Sequence, residues 1–207
     1  STPRVQDNQF HRNGTGTSST RYAGLYVSST AIDLDLLTGN TGTGNGLDAT
    51  LLSGTVSQDG TWPNTPGWPV SVGSGYDPYY YATLTIAAGV TVTVPAGTVV
   101  KFGQSSRLQI NGSLTATGTE ASPVVFTSWR DDTAGGDTNN NGDSAGQARD
   151  WDGIQVGSGA STATVDFDRV QVRFGDQMDV STSAPGGVSI RNSVFSDNAY
   201  GGLWVSS

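Results

Sequence analysis

Short alternations of apolar and polar residues, separated by glycine and proline, occupy most of the chain. Every second residue is apolar in the clearest runs, at residues 84–86, 90–94, 108–110, 165–167, 170–174 and 188–190. Denser apolar runs lie between them, at residues 99–102 and 124–126. A period of two is typical of half-buried β-strands. No segment shows the 3.6-residue period of an amphipathic helix. We therefore expect an all-β protein with almost no helix.

One motif recurs near both ends of the chain. An apolar residue, Phe and Asn are followed by Gly-Leu and Val-Ser-Ser, first over residues 5–29 and again over 190–207. Weaker copies occur at 37–49 and 152–156. Recurrence of one short unit is typical of solenoids, whose coils bury their inner faces on one another. The pattern predicts a right-handed parallel β-helix, a β-solenoid.

The motif also predicts which residues point inward and which form the corners. Alternation directs Leu25/Val27, Ile154/Val156 and Leu203/Val205 into the core. Glycine at a corner permits positive φ. Asparagine suits a turn and can bond to the next coil, and the candidates for such a ladder are Asn13, Asn45 and Asn198.

A β-sandwich is the alternative fold, because it too contains many short strands and turns. The recurring Asn-x-x-Gly-Leu pattern favours the β-helix. So does the lack of Asn-Gly turns between two clean alternating runs, which would indicate hairpins.

The chain is interpreted as a single β-helix segment, 1–207, with three parts. Residues 1–52 form N-terminal coils, and 53–81 form an aromatic, proline-rich loop or a join between two runs of coils. Residues 82–207 form the central and C-terminal coils, interrupted by an acidic loop at 129–152. The first and last stretches read as ordinary coils without caps, which predicts either a longer parent chain or head-to-tail self-association.

Charge and composition limit the classes of binding partner that the chain is expected to have. The net charge is −8 and the isoelectric point is about 4.3, which argues against nucleic acid and anionic membranes. There is no cysteine, so disulfides and thiolate metal sites are excluded. No apolar run approaches the roughly 20 residues of a membrane span. The Thr-, Asn- and Gly-rich composition favours a secreted or cell-surface protein.

The acidic loop is the main candidate site. Within it, Asp137-x-Asn139-x-Asn141-Gly142-Asp143 places oxygen ligands at every second position, like the first half of an EF-hand. The closing glutamate is missing, because Ala148 occupies that position. The sequence therefore predicts a structural calcium site, with the alternative of a flexible solvated loop; the remaining candidate ligands are Asp132, Asp150 and Asp152.

Aromatic residues are concentrated in the proline-rich part. The candidates for stacking on sugar rings are Trp62, Trp68, Tyr76 and Tyr79. The alternative, which we favour, is that these residues pack a rigid excursion onto the solenoid.

These segments carry a resemblance to a known group of proteins. Residues 92–103, 108–114 and 123–128, with the continuation through Asp150-Trp151-Asp152-Gly153, resemble bacterial and archaeal right-handed β-helix repeat proteins of the cell surface. These are non-catalytic members of the pectate-lyase-like superfold. This chain departs from them in having Asp152 where many relatives have glycine. The superfold hosts enzymes, adhesins and inert spacers alike, so the resemblance implies the fold more than the function.

We predict a structural or adhesive module of an extracellular surface protein or fibre, stapled by calcium at the acidic loop and self-associating end to end. The alternative is a polysaccharide-binding or polysaccharide-degrading β-helix. For an enzyme the candidates are few: Arg130 and Arg149 read as counter-charges of the acidic loop, and the only histidine, His11, is remote in sequence. We assign no catalytic residue.

Overall fold

The computed structural model describes residues 1–15, 22–74, 81–157, 162–181 and 187–206. Over these residues the chain consists of short β-strands and one 3-10 turn, Leu34–Leu36, without an α-helix. This confirms the all-β prediction. The strands of the first part of the chain are β1 (Gln9–His11), β2 (Ala23–Ile32), β3 (Thr41–Thr43), β4 (Leu47–Val56), β5 (Gly60–Thr61), β6 (Asn64–Thr65) and β7 (Trp68–Val72).

Thirteen further strands follow, and from β7 onward each strand pairs in parallel with the strand three positions later. Ladder 1 contains β7, β10 (Val99–Phe102), β13 (Val124–Ser128), β16 (Val170–Arg173) and β19 (Val194–Ser196). Ladder 2 contains β8 (Ala82–Ile86), β11 (Ser106–Ile110), β14 (Gly153–Val156), β17 (Met178–Ser181) and β20 (Leu203–Ser206). Ladder 3 contains β5, β9 (Thr91–Val94), β12 (Ser113–Thr117), β15 (Thr164–Asp168) and β18 (Val188–Arg191).

The ten-residue strand β4 joins ladders 1 and 2 into one sheet. Its Thr50–Leu52 part pairs with β7, whereas its Gly54–Val56 part pairs with β8. Gly54 lies at the corner with φ +109°, and a Cβ added there would lie 2.0 Å from the carbonyl oxygen of Ser29. Only glycine fits this corner without strain. β2 runs parallel to β4 across the same bend.

The core is built from side chains stacked in register on successive strands. In ladder 2, Leu84, Leu108, Ile154 and Met178 are aligned and fully buried. Alternate residues face inward because successive strand residues point to opposite faces. The predicted inward residues follow the same rule: Ile154, Val156 and Val27 are buried, and Leu25 is half-buried, whereas Leu203 and Val205 remain exposed on β20, the last strand of ladder 2.

Asparagine side chains connect successive turns near the start of the chain, as the sequence predicts. Asn13 donates through its backbone N–H and its Nδ2 to Oδ1 of Asn45, both at 3.0 Å. Asn198 bonds instead to backbone groups 23 and 26 residues earlier, accepting from Gly175 N–H and donating to the Val172 carbonyl. Asn198 therefore also links its turn to an earlier part of the chain, through backbone groups and not through another asparagine.

Glycine in the repeated Gly-Leu or Gly-Ile dipeptide is required for two different structural reasons, a positive φ or a close approach of neighbouring atoms. Gly153 has the predicted positive φ, +89°. Gly24 and Gly46 do not; a Cβ at Gly24 would lie 2.4 Å from the Trp68 ring, and one at Gly46 2.5 Å from the Gly14 carbonyl oxygen. At these two positions glycine is required for close approach and not for conformation.

The segment predicted as a loop or join, 53–81, contains three short strands and the end of β4. β6 and β7 form a small antiparallel pair, the one such pairing among the described strands. β7 belongs to ladder 1, so this segment continues the ladder. Across the described ranges, none of the helical structure is long and apolar enough for a membrane span.

Candidate functional site

The acidic loop, residues 129–152, folds back over the outward face of ladder 1. Trp129 at its start is buried against Leu47, Ala49 and Leu51 of β4, in an apolar cluster separate from the main core. Burial of this indole gives the loop a hydrophobic anchor. The loop therefore begins tightly packed, in contrast to the flexible alternative.

Hydrogen bonds fix the middle of the acidic loop to residues 90 to 95 positions earlier. The backbone N–H of Asp48 donates to the Thr138 carbonyl at 2.8 Å. Asn140 Nδ2 donates to the Asn45 carbonyl at 2.8 Å and to Asp48 Oδ2 at 2.9 Å. Burial acts to raise the pKa of Asp48, but the bonds from Asn140, Asn45 and Gly44 outweigh it and hold the pKa below its ordinary value.

The cation beneath the acidic loop is Lys101, the only lysine of the chain. It points outward from β10, opposite to the core residues Val100 and Phe102, and the loop covers it completely, leaving 0% of its surface exposed. Its Nζ donates to the Gly136 carbonyl. Burial lowers the pKa of Lys101 to about 8, against the opposing attraction of Asp132, Asp131 and Asp137.

Asp131 is buried beside Arg173 of β16. Its Oδ2 lies 2.8 Å from Arg173 Nη2 and accepts from Thr127 Oγ1 at 2.6 Å, while Oδ1 accepts from Thr133 Oγ1 at 2.6 Å. Burial acts to raise the pKa of Asp131, but the bonds from Thr127 and Thr133 and the nearby Arg173 hold it below its ordinary value. This carboxylate is fully engaged within the protein.

Asp132 and Asp137 close turns within the acidic loop. Asp132 Oδ2 accepts from the backbone N–H of Ser144 at 2.6 Å and from its Oγ at 3.0 Å. Asp137 accepts from the backbone N–H groups of Asn141 and Gly142 at 3.2 and 2.9 Å. The alternating Asp-Asn spacing read as a cation loop therefore forms an Asx-type turn in which the carboxylate bonds to its own backbone.

Asp150 and Asp152 have separate partners. Asp150 accepts from Ser128 Oγ at 2.7 Å and lies 3.5 Å from Arg130. Asp152 lies 3.4 Å from Arg107 of β11. The two carboxylates therefore contact different ladders, Asp150 through Ser128 of β13 in ladder 1 and Asp152 through Arg107 of β11 in ladder 2.

The remaining predicted ligands are spread over the acidic loop. Asn141 and Asp143 are exposed, whereas Asn139 is buried. Within the described ranges, no three His, Cys, Asp or Glu side chains come together in a group able to hold a metal ion. The calcium ligand shell is therefore not assembled from these carboxylates, and calcium binding stays a prediction.

Trp62 and Trp68 are fully buried, so their predicted role in stacking on sugars is wrong. The Trp62 indole donates to the Val70 carbonyl at 3.0 Å, and that of Trp68 donates to Thr50 Oγ1 at 2.9 Å and stacks on Phe10. They pack the proline-rich segment, which is the interpretation that the sequence favoured. Tyr76 and Tyr79 lie outside the described residues.

The arginines considered for catalysis are paired with carboxylates at the surface. Arg149 lies 3.4 Å from Asp176 and its guanidinium is 4.5 Å above the Tyr200 ring. Burial and the nearby Asp152 raise the pKa of Asp176 above its ordinary value, although Arg149 opposes them. His11 is exposed and its Nδ1 lies 3.3 Å from Thr43 Oγ1. These groups do not converge on one reacting position.

Comparison with known proteins adds no assignment. The chain matches no known protein family, no curated protein sequence and no solved structure at a significant level.

Proposed function

We propose that this chain is a right-handed parallel β-helix segment of a secreted or cell-surface protein, with a structural or adhesive role in a stalk or fibre. The observation that carries the proposal is the parallel pairing of each strand from β7 onward with the strand three positions later, which builds three in-register ladders. Such a repeat suits a rigid spacer, because stability accumulates from neighbouring coils. The resemblance to non-catalytic pectate-lyase-like surface proteins supports the same interpretation.

End-to-end association is the second part of the proposal. Leu203 and Val205 are in register with the buried Met178 and Val180, yet they are 41% and 61% exposed. A row of unpaired strand edges with apolar residues is a template for another strand. We propose that a second copy of this chain covers this edge.

The acidic loop serves this role as a lateral staple. It connects β13 to β4 through Trp129, Asn140 and Thr138, and thus ties coils that are far apart in sequence. Calcium enters the proposal as an additional, weak staple at residues 137–143, in the affinity range of extracellular modules.

Sedimentation velocity over a concentration series tests the proposed association. We expect wild-type protein to form larger species as concentration rises, and Val205→Asp to remain a monomer because a carboxylate on the inward face opposes burial. Tyr26→Ser is the matched control, since Tyr26 is an exposed aromatic on the outward face of β2. A wild-type protein that stays monomeric at every concentration contradicts the proposed self-association.

A further inference from the structure

A groove of about 300 Å³ lies on the outward face of ladder 2. It is lined by Arg107 of β11, Gln155 of β14, Asp179 of β17, and the turn residues Asp152, Asp176 and Tyr200. Gln155 is in register with Asp179, and Gln109 with Gln155. Because its lining side chains come from consecutive strands, the groove runs across the strands.

Planar polar groups in the groove are held in fixed orientations. The Arg107 guanidinium donates to Gln155 Oε1 at 3.2 Å and lies 3.4 Å from Asp152. Arg149 is likewise paired with Asp176 at 3.4 Å. Carboxylate, amide and guanidinium groups are donors and acceptors suited to neighbouring hydroxyl groups. Because these side chains already hold one another in place, ordering them when a ligand binds costs less conformational entropy.

Exposed aromatic rings accompany these polar groups along ladder 2. Tyr81, Tyr200 and Trp204 are 58%, 65% and 61% exposed. The Arg107 guanidinium lies 5.2 Å from the Tyr81 ring centroid, and Trp204 is in register with Asp179. Trp62, Trp68 and Trp151, by contrast, are fully buried. Three large exposed rings beside one groove form an interaction surface.

The lining of the groove is net negative, because it carries Arg107 and the three aspartates Asp152, Asp176 and Asp179. Asp152 is paired with Arg107, and Asp176 is paired with Arg149, which lies outside the lining. The whole chain carries a net charge of −8. Anionic chains are therefore repelled at long range, whereas an uncharged ligand meets no such barrier.

We propose that this groove binds an uncharged, hydroxyl-rich glycan chain that runs across the strands of ladder 2. The rings of Tyr200 and Trp204 stack on the apolar faces of the sugars, and the groups around Arg107 bind their hydroxyls. From β8 to β20 the ladder spans four strand spacings, roughly 19 Å at about 4.8 Å each, which accommodates a short oligosaccharide. The proposal adds a ligand to the structural module and does not depend on its self-association.

Affinity electrophoresis with soluble polysaccharides tests the proposal on the full chain. The probes are a mixed-linkage glucan, a xylan and a galactomannan as neutral chains, and polygalacturonate as the anionic chain. We expect at least one neutral chain to retard the protein and polygalacturonate to leave its mobility unchanged. Tyr200→Ala and Trp204→Ala should each weaken retardation about tenfold, a loss of one stacked ring.

The matched control is Tyr26→Ala, which removes an exposed ring on β2, away from the groove, and should leave retardation unchanged. Circular dichroism of each variant verifies that it is folded. Three results would overturn the proposal: no neutral chain retards the protein, polygalacturonate retards it as strongly as they do, or Tyr200→Ala and Trp204→Ala behave like Tyr26→Ala. Sedimentation velocity of Tyr200→Ala measures end-to-end association separately. A variant that loses glycan binding but associates like wild type shows that the two proposals fail or hold independently.

Discussion

Lys101 donates a hydrogen bond from its buried amine to the carbonyl oxygen of Gly136, in the acidic loop that covers it. Lys101 lies on β10 of ladder 1, and the carboxylates of Asp132, Asp131 and Asp137 attract it. The acidic loop thus receives an internal cation from the strand beneath it. Together with Arg173, this cation offsets the repulsion that a run of aspartates would otherwise produce.

Because the Lys101 amine is buried, we expect the free energy of unfolding to change with pH in the alkaline range. The pKa of Lys101 falls to about 8 from 10.5, so the unfolded chain binds more protons between these values and stability rises as pH increases through the window. The full gain is about 3 kcal/mol. Denaturant unfolding of wild type and Lys101→Met at pH 7 and pH 10.5 measures it, and the wild type should gain relative to the variant.

Tyrosines also titrate in this pH range, but they do so in both proteins. Their contribution therefore cancels in the difference between the unfolding free energies of wild type and Lys101→Met. Because the chain has one lysine, a single lysine ¹³Cε resonance reports the same pKa independently. Parallel stability curves for the two proteins, or a resonance that titrates near pH 10.5, would contradict the buried charge.

The ion pair between Asp131 and Arg173 is expected to matter more than surface pairs. Arg173→Met leaves the carboxylate of Asp131, 1% exposed, without its cation, and such a loss costs about 3 kcal/mol. Arg191→Met is the matched control, because its pair with Asp166 is about half-exposed on both sides and contributes about 1 kcal/mol or less. Urea unfolding at pH 7 compares them; equal losses would show that the buried pair has no special weight.

The corner in β4 should tolerate no side chain. Gly54→Ala adds a Cβ 2.0 Å from the Ser29 carbonyl oxygen at φ +109°, and we expect a loss of about 3 kcal/mol or more, from strain and a displaced β2. Gly89→Ala is the control, because Gly89 also has positive φ, +80°, but has no atom within 4 Å of the added Cβ. It should cost about 1 kcal/mol. Thermal unfolding midpoints of the two variants test this difference.

Calcium at the acidic loop is expected to give a small additional stabilisation. Millimolar calcium should raise the unfolding midpoint of chelator-treated wild type by a few degrees, in line with weak binding. Asp137→Asn combined with Asp143→Asn should abolish the rise, whereas Asp59→Asn, a change outside the loop, should retain it. An unchanged midpoint in the wild type removes calcium from the proposal and leaves the hydrogen-bonded loop as the staple.

Much of the strand pattern could be predicted from sequence because it depends on local alternation. The runs that include Leu84, Val92 and Leu108 became β8, β9 and β11, each with buried residues at every second position. The bond between Asn13 and Asn45 was predicted from the repeated motif, since equivalent turns of successive repeats meet.

The site could not be predicted in the same way because it depends on contacts between distant residues. Lys101 alternates outward from the core, which normally indicates solvent exposure; only the fold of the acidic loop, 35 residues later, buries it. Likewise, Asp131 and Asp152 find Arg173 and Arg107 across ladders whose register the sequence does not specify. The signal available was that the chain has one lysine, set in an apolar run.

We propose that the chain is a β-helix segment that extends by stacking on itself, and electron microscopy of concentrated protein tests this proposal. We expect rods of constant width with a repeat of about 4.8 Å along the rod axis, because the strands lie across that axis. The rods should shorten to single particles in Val205→Asp. Compact particles without the repeat, at every concentration, would contradict the proposed β-helix assembly.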